Sequence, residues 1–256
     1  DGHDETRQIS AKIEKINSKG IKYDQIAVLV RAGYQTRSFE ERFVQIGLPY
    51  KVIGAKFYER LEIRDALSYF RVLLQNSDDL ALERIINVPK RGIGSRTLNI
   101  IKNYARHEKI SIFLAIEELI MTDELRPSVK KSLIDLIELF RNWEKDLKSL
   151  THTELAIKIL EESFYIDYLK NEKTLESETR LENLKELINS MSNFDNMIGF
   201  LEHISLVTDA DTDNTDGEIS LMTLHASKGL EFEAVFLPCW EEGSFPSQRS
   251  LDENGL

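Results

Sequence analysis

The signals for β-strands in this chain are confined to its two ends, with a long stretch of helical pattern between them. Short apolar runs at 26–30, 50–53, 219–223 and 234–238 are typical of strands buried in a parallel sheet. From about residue 79 to residue 206 the apolar residues recur with the period of an α-helix. This distribution predicts an α/β fold, helix-dominated overall, in which a parallel sheet domain is interrupted by an inserted all-helical domain.

Helices are also predicted between the first strands. Ile9, Ile13 and Ile16 share one helical face, and a second apolar face includes Phe39 and Phe43. A third helix is predicted over 63–74. We therefore assign residues 1–110 to the first part of the sheet domain, 111–217 to the helical domain and 218–256 to the second part of the sheet domain. The first boundary lies anywhere from about 75 to 125.

The charge of the chain is unevenly distributed. A net charge of −11 over 256 residues argues, taken alone, against nucleic-acid binding, which needs local positive potential. The segment from Arg84 to His107, which we call the basic island, nevertheless contains no acidic residue. Its basic side chains are Arg84, Lys90, Arg91, Arg96, Lys102 and Arg106. The distribution, more than the sum, keeps a phosphate-bearing partner open.

Cysteine usage and hydropathy indicate the setting. The single cysteine, Cys239, cannot form an internal disulfide, which favours a reducing, cytoplasmic environment. No apolar run is long enough to span a membrane, and the first twenty residues are too charged for a secretory signal. The five histidines and the cysteine lack the spacing of zinc ligands, so we expect no metal site.

A polar loop, MTLHASKGLEF at 222–232, lies between the last two predicted strands. Ligands bind at the carboxyl ends of strands in open α/β sheets. The donors of such a loop can hold phosphates, and its carboxylate can hold a sugar hydroxyl. A polar loop without a ligand is the alternative. The polar and glycine residues of the loop are Thr223, His225, Ser227, Lys228, Gly229 and Glu231.

The order of residues in this loop resembles motif V of the UvrD/PcrA/Rep family of superfamily 1 DNA helicases. The segment 240–249 is similar to the EEGxFPS segment of that family, and 26–31 is similar to its motif IV. Further similarities lie at 47–54, 57–60, 62–66, 86–94 and 180–184. The resemblance therefore covers nearly the whole chain and implies a second RecA-like domain with an inserted helical accessory domain.

The resemblance implies a parent protein that is an ATP-dependent 3′-to-5′ DNA helicase acting in DNA repair or replication, using ATP with Mg. The implied partners are single-stranded DNA, junctions of single and double strands, and a first RecA-like domain of the same chain. Repair proteins are further candidates. The alternatives are a helicase subunit of a recombination nuclease, a stand-alone DNA- or protein-binding module, and a degenerate relative with a structural role.

The resemblance also implies roles for individual residues. Arg31 would reach the γ-phosphate of ATP, and Gly229 and Glu231 would contact the nucleotide, Glu231 through the ribose. The family often has an aromatic residue before the arginine, whereas this chain has Val30, so adenine stacking is not expected there. The implied single-strand contacts are Thr223, His225, Ser227, Lys228 and Ser247. The implied duplex contacts are Lys90, Arg91, Gly92, Gly94 and Arg96, in a tight turn before a predicted helix.

Parts of the ATP-hydrolysing machinery are not found in the sequence. It contains no GxxxxGK[ST] motif, no recognisable Walker-type acidic strand end and no motif VI. We therefore expect this chain alone to hydrolyse no ATP and to bind no cofactor.

Overall fold

The computed structural model describes residues 2–172, 174–209 and 217–240, without the side chains of residues 2, 3, 175 and 209. The described helices are α1 Gly2–Asn17, α2 Thr36–Ile46, α3 Leu61–Leu74, α4 Asp79–Ile85, α5 Ser95–Glu108, α6 Ile112–Leu119, α7 Pro127–Asp146, α8 His152–Glu162, α9 Tyr165–Asn171, α10 Leu175–Met191 and α11 Met197–Asp209. The described strands are β1 Ile26–Val30, β2 Tyr50–Val52, β3 Ile219–Thr223 and β4 Ala234–Phe236.

The four strands form one parallel sheet in the order β2-β3-β1-β4. Strand β1 pairs with β3 and β4, although β3 and β4 come from the other end of the chain. Strands β1 and β3 coincide with the predicted runs, while β2 and β4 end earlier than those runs. The predicted fold class, a parallel α/β sheet in a helix-dominated chain, is confirmed.

The chain divides into two compact units. The sheet unit comprises residues 1–60 and 204–256, and the helical unit comprises residues 61–203. We predicted crossings near residues 110 and 217, so α3, α4 and most of α5 fall in the other unit from the one we expected. The reason is that α3 packs against α4, α7 and α10, and its apolar face is buried there. The assignment of these units to named domains stays a prediction.

The core of the sheet unit follows the periodicity of its elements. Helix α1 contributes Ile9 and Ile13, and α2 contributes Phe39 and Phe43, to a cluster completed by the apolar residues of β1 and β3. Helix α2 ends at Gly47, which has a φ of 70°, a left-handed conformation that glycine adopts without steric cost. The amide of Leu48 then donates to the carbonyl of Phe43 at 2.9 Å, which turns the chain towards β2.

The core of the helical unit is rich in aromatic residues. Phe140 lies 5.1 Å from Trp143 and 5.8 Å from Phe113, measured between ring centroids. Tyr69 lies 6.3 Å from Phe140, Trp143 and Tyr165. Buried aromatic pairs in tilted or edge-to-face geometry contribute beyond the area they bury, so this cluster holds α3, α6, α7 and α9 together.

Candidate functional site

The candidate site of the sheet unit lies where two adjacent parallel strands end. Val30 of β1 is the register partner of Thr223 of β3. Directly beyond this pair, the amide of Leu224 donates to the carbonyl of Val30 at 2.9 Å. Arg31 and the polar loop therefore leave the sheet side by side at the edge where ligands bind in open α/β sheets.

The backbone at Arg31 is fixed by a side chain of the following turn. The Oε1 atom of Gln35 accepts hydrogen bonds from the amides of Arg31, at 3.0 Å, and Ala32, at 2.8 Å. The guanidinium of Arg31 is half-buried and makes no hydrogen bond or ion pair with any residue that the structure describes. A cation held at a strand end with unused donors fits an anionic ligand such as a phosphate.

A buried network that the sequence analysis missed supports this turn. The Nη2 atom of Arg60 donates to the carbonyl of Gly33 and to Oγ1 of Thr36, both at 3.0 Å. Glu40 accepts from Oγ1 of Thr36 at 2.6 Å and from the amide of Phe57 at 3.0 and 3.1 Å. Burial raises the pKa of Glu40 above its usual value, although the bonds from Thr36 and Phe57 oppose the rise.

The polar loop folds back on itself after Thr223. The amide of Ala226 donates to the carbonyl of Thr223 at 3.0 Å, and Oγ of Ser227 donates to the carbonyl of Leu224 at 2.9 Å. Gly229 has a φ of 84°, which favours glycine at that position. The side chains of His225, Lys228 and Glu231 are exposed, whereas the hydroxyl of Ser227 already donates within the loop.

The far end of the loop returns to the opposite edge of the sheet. The amide of Glu233 donates to the carbonyl of Gln25, and Nε2 of Gln25 donates to Glu233, at 3.0 and 2.9 Å. Gln25 precedes β1, whereas Val30 ends it. Thr223 therefore lies beside the strand that leads into Arg31, while Glu231 is two residues from the return point at the other edge. One loop reaches from one edge of the sheet to the other.

In the helical unit, the predicted duplex contacts lie on a turn between α4 and α5. The Oδ1 atom of Asn87 accepts from the amides of Arg91 and Ile93 at 2.8 and 3.2 Å, and Gly92 has a φ of 74°. The peptide bond between Val88 and Pro89 is cis. This turn delivers the chain to Gly94, the residue that begins α5.

The amino terminus of α5 has the features of an anion site. Gly94 supplies no side-chain cap, and the first turn contains no acidic residue. Its free amides therefore face solvent, where they can bind phosphate. Lys90, Gly92, Gly94 and Arg96 are all exposed around this terminus.

Arg91 is placed differently from the other predicted duplex contacts. Its guanidinium donates to protein oxygens within the helical unit: the carbonyls of Ile85, Ile86, Pro89 and Ser163 and the hydroxyl of Tyr69, at 2.7 to 3.4 Å. The predicted phosphate contact at this residue stays untested, but all its observed partners are internal.

Two other basic residues of the island are neutralised by acids from neighbouring helices. Arg84 pairs with Asp65 at 2.6 Å, and Lys102 pairs with Glu83 at 2.8 Å. Lys90, Arg96 and Arg106 are exposed and have no ion pair with the described residues. The accessible positive charge is therefore narrower than the sequence indicated. Asp65 lies far from Arg84 along the chain, and no sequence pattern signalled this pairing.

Several further predictions depend on where the description extends. Ser247 and the EEGxFPS-like residues after Trp240 lie outside the described residues. Within residues 2–172, 174–209 and 217–240, no group of three or more His, Cys, Asp or Glu residues could hold a metal ion. None of the helices in that part of the chain is long and apolar enough to cross a membrane.

These features define a parallel α/β protein with ligand-facing residues at adjacent strand ends, combined with a helical unit that carries an open helix terminus. The chain belongs to the UvrD-like helicase C-terminal domain family, whose model matches residues 1–256.

Among similar proteins, DNA helicase II of Rickettsia typhi is 47% identical over 256 residues, which cover 98% of this chain and 39% of that protein. The probable DNA helicase II homolog of Rickettsia conorii is 46% identical, with the same coverage of both chains. The ATP-dependent DNA helicase PcrA of Staphylococcus epidermidis is 38% identical over 257 residues, covering 97% of this chain and 35% of that protein. The chain thus spans less than half the length of these relatives.

Proposed function

We propose that this chain is the DNA-binding and nucleotide-sensing carboxyl-terminal part of an ATP-dependent DNA helicase that moves 3′ to 5′ in DNA repair or replication. The observation that carries the proposal is the 2.9 Å hydrogen bond from the amide of Leu224 to the carbonyl of Val30. It joins the start of the polar loop to the strand end that presents Arg31. Family membership and the names of the similar proteins support the helicase assignment.

On the nucleotide side, the proposed roles belong to Arg31 and Glu231. The planar guanidinium of Arg31 has unused donors and would offset the negative charge that develops on the γ-phosphate during cleavage. The exposed carboxylate of Glu231 would accept hydrogen bonds from the ribose. In the parent, ATP with Mg supplies the phosphoryl bond that is cleaved. Most of its binding site would lie in the first RecA-like domain, the main protein partner that we propose.

On the DNA side, the proposal has two surfaces. Thr223, His225 and Lys228, at the start of the loop, would contact the single strand. The open amino terminus of α5, with Lys90 and Arg96 beside it, would contact duplex phosphates near a junction. Contacts with the backbone carry no base information, so we expect this binding to be independent of sequence.

Coupling between the two ligands would follow from the shared backbone. A movement of Arg31 with the nucleotide state would shift the carbonyl of Val30, which accepts from the loop at Leu224. The loop would then change its DNA contacts, in the manner of a two-state switch segment. A helicase of this kind acts where the chromosome lies, so the proposal includes the bacterial cytosol or nucleoid. Repair proteins are the further partners we propose.

The DNA-binding part of the proposal can be tested with the chain itself. The affinity for a duplex carrying a 3′ single-stranded tail would be measured by fluorescence anisotropy over a range of salt concentrations. We expect Arg96→Ala to weaken binding and to reduce the slope of log K against log salt by about 0.9, the value for one lost phosphate contact.

Arg106→Ala provides a matched control. Both arginines are exposed on α5 and both variants remove one charge, but Arg106 lies in the last turn, about 15 Å along the helix from Arg96. We expect its effect on affinity to be small. An absence of binding by the unaltered chain at low salt, or equal effects of both substitutions, would overturn the proposed DNA surface.

A further inference from the structure

We propose that Arg91 and Tyr69 form an internal pair that shapes the turn at 87–94, and that Arg91 acts on duplex binding as a positioning residue. Arg91 itself touches no DNA phosphate in this proposal. The inference rests on the proposed DNA binding and deepens it, because it separates the residues that contact DNA from those that place them. It also gives a role to a basic residue whose observed partners are all internal.

Tyr69 is the fixed side of the pair. Its ring is fully buried in the aromatic core, 6.3 Å from the rings of Phe140, Trp143 and Tyr165. Its hydroxyl donates to the carbonyl of Val88 at 2.6 Å and accepts from Nη2 of Arg91 at 2.7 Å. The position of the core is thereby transmitted to the turn at two points, one on each side of Pro89 and Lys90.

Arg91 connects the same turn to the ends of two helices. Its Nη1 atom donates to the carbonyls of Ile85 and Ile86, at 2.9 and 3.3 Å. These carbonyls end α4, where the last residues have no partner within the helix. Its Nη2 atom also donates to the carbonyl of Ser163, which follows α8, at 3.4 Å. One side chain therefore satisfies acceptors from separate elements.

The turn is also held by the residue that precedes it. The Oδ1 atom of Asn87 accepts from the amides of Arg91 and Ile93, and the side chain of Ile93 is buried. Between these anchors Lys90 and Gly92 remain exposed, and Gly94 opens α5 immediately afterwards. The internal bonds therefore determine where the ammonium of Lys90 and the free amides of α5 stand relative to each other.

The chemistry of the site requires arginine. A guanidinium is planar and carries five N–H donors in a fixed fork, whereas an ammonium has three donors around a single atom. Lysine at this position keeps the positive charge but cannot reach acceptors as widely separated as Ile85, Tyr69 and Ser163. A phosphate contact would tolerate this exchange far better, because the charge is the main part of such a contact. Arg91→Lys therefore distinguishes positioning from contact.

The experiment compares Arg91→Lys, Tyr69→Phe and the double variant in anisotropy titrations with the 3′-tailed duplex. Circular dichroism confirms that each variant is folded at the temperature used. We expect Arg91→Lys to lower affinity about tenfold, the scale for losing hydrogen bonds from a charged donor. Tyr69→Phe removes only a buried hydroxyl and should lower affinity severalfold. The double variant should fall short of the product of the single effects, because both act through one pair.

Two controls separate positioning from general destabilisation. Trp143→Phe removes the 2.7 Å hydrogen bond from Nε1 of Trp143 to Glu162 in the same core and should lower Tm without changing DNA affinity. Arg96→Lys keeps the charge of an exposed arginine and should change affinity less than twofold. Hydrogen exchange gives a readout without DNA: amides at 87–94 should exchange faster in Tyr69→Phe, while those in the middle of α5 should not.

Unchanged affinity in Tyr69→Phe would overturn the inference. So would unchanged affinity in Arg91→Lys combined with a lower salt slope in Arg91→Gln, because that pattern identifies a direct phosphate contact. Both results leave the proposed function standing if Arg96→Ala still weakens binding more than Arg106→Ala. If the unaltered chain does not bind the duplex, the proposed function fails and this inference fails with it.

Discussion

The backbone amide of Leu224 donates a 2.9 Å hydrogen bond to the carbonyl oxygen of Val30. Val30 immediately precedes Arg31, and Leu224 is the first residue of the loop after β3. The two chain segments come from opposite ends of the sequence and meet because β1 and β3 are neighbouring parallel strands. A residue proposed to sense a nucleotide and a loop proposed to contact DNA are thus separated by one hydrogen bond.

In a protein that joins this chain to a first RecA-like domain, we expect Arg31→Ala to reduce DNA-stimulated ATP hydrolysis by about 10³-fold. An arginine that offsets charge on the transferred phosphoryl group contributes on this scale. Arg7→Ala is the control, because Arg7 is exposed on α1 and has only a 4.0 Å ion pair with Asp4. Steady-state hydrolysis with saturating single-stranded DNA gives the comparison. A rate unchanged by Arg31→Ala would remove this residue from the proposed mechanism.

Glu40→Gln should change the dependence of stability on pH. Burial raises the pKa of Glu40 in the folded state above the usual 4.5. The folded protein therefore holds this proton longer than the unfolded chain does. The stabilising contribution is complete below the unfolded pKa and is lost as pH rises through the folded pKa.

Glutamine at this position does not ionise, so the unfolding free energy of Glu40→Gln should improve relative to the unaltered protein as pH rises above 4.5. A single group can change the slope by at most about 1.4 kcal/mol per pH unit. Urea unfolding at several values between about pH 4 and about pH 8 measures the difference. Parallel pH curves for the two proteins would contradict the prediction.

Phe140→Ala should destabilise the helical unit by about 3 to 5 kcal/mol, because it removes a fully buried ring and leaves a cavity. The lost partners are Phe113 and Trp143, at centroid distances of 5.8 and 5.1 Å. Leu80→Ala is the matched control in the same unit, since Leu80 is 82% exposed and should cost less than about 0.5 kcal/mol. Thermal unfolding followed by circular dichroism tests both, and similar Tm values for the two variants would be inconsistent with this account.

Two reciprocal substitutions test backbone strain in the left-handed region. Gly47 has a φ of 70°, and Gly47→Ala should cost about 1 to 2 kcal/mol. Phe164 has a φ of 61° and a largely exposed ring, so Phe164→Gly should relieve strain and stabilise the protein by about 1 kcal/mol. The two Tm shifts should have opposite signs. Shifts of the same sign would indicate that side-chain contacts, and not the backbone, decide stability at one of these positions.

Much of the fold was predictable because its signals are local. The apolar runs of β1 and β3 coincide with the observed strands, and Gly47 ends α2 as a left-handed residue. The polar loop after Thr223 and the turn at Gly92 were also placed correctly between elements. These features depend on a few consecutive residues, so periodicity and turn chemistry were sufficient to locate them.

The sequence by itself determined the α/β class, the parallel sheet and the family, because periodicity and motif order are properties of short segments. Only the tertiary structure decided which charged groups face solvent. Arg91 binds internal carbonyls, Arg84 pairs with Asp65, and Glu40 is buried beside Phe57. These partners are distant along the chain or separated by a turn, and burial makes an unpaired charge costly. The folded packing therefore determined which residues of the basic island remain available to a phosphate.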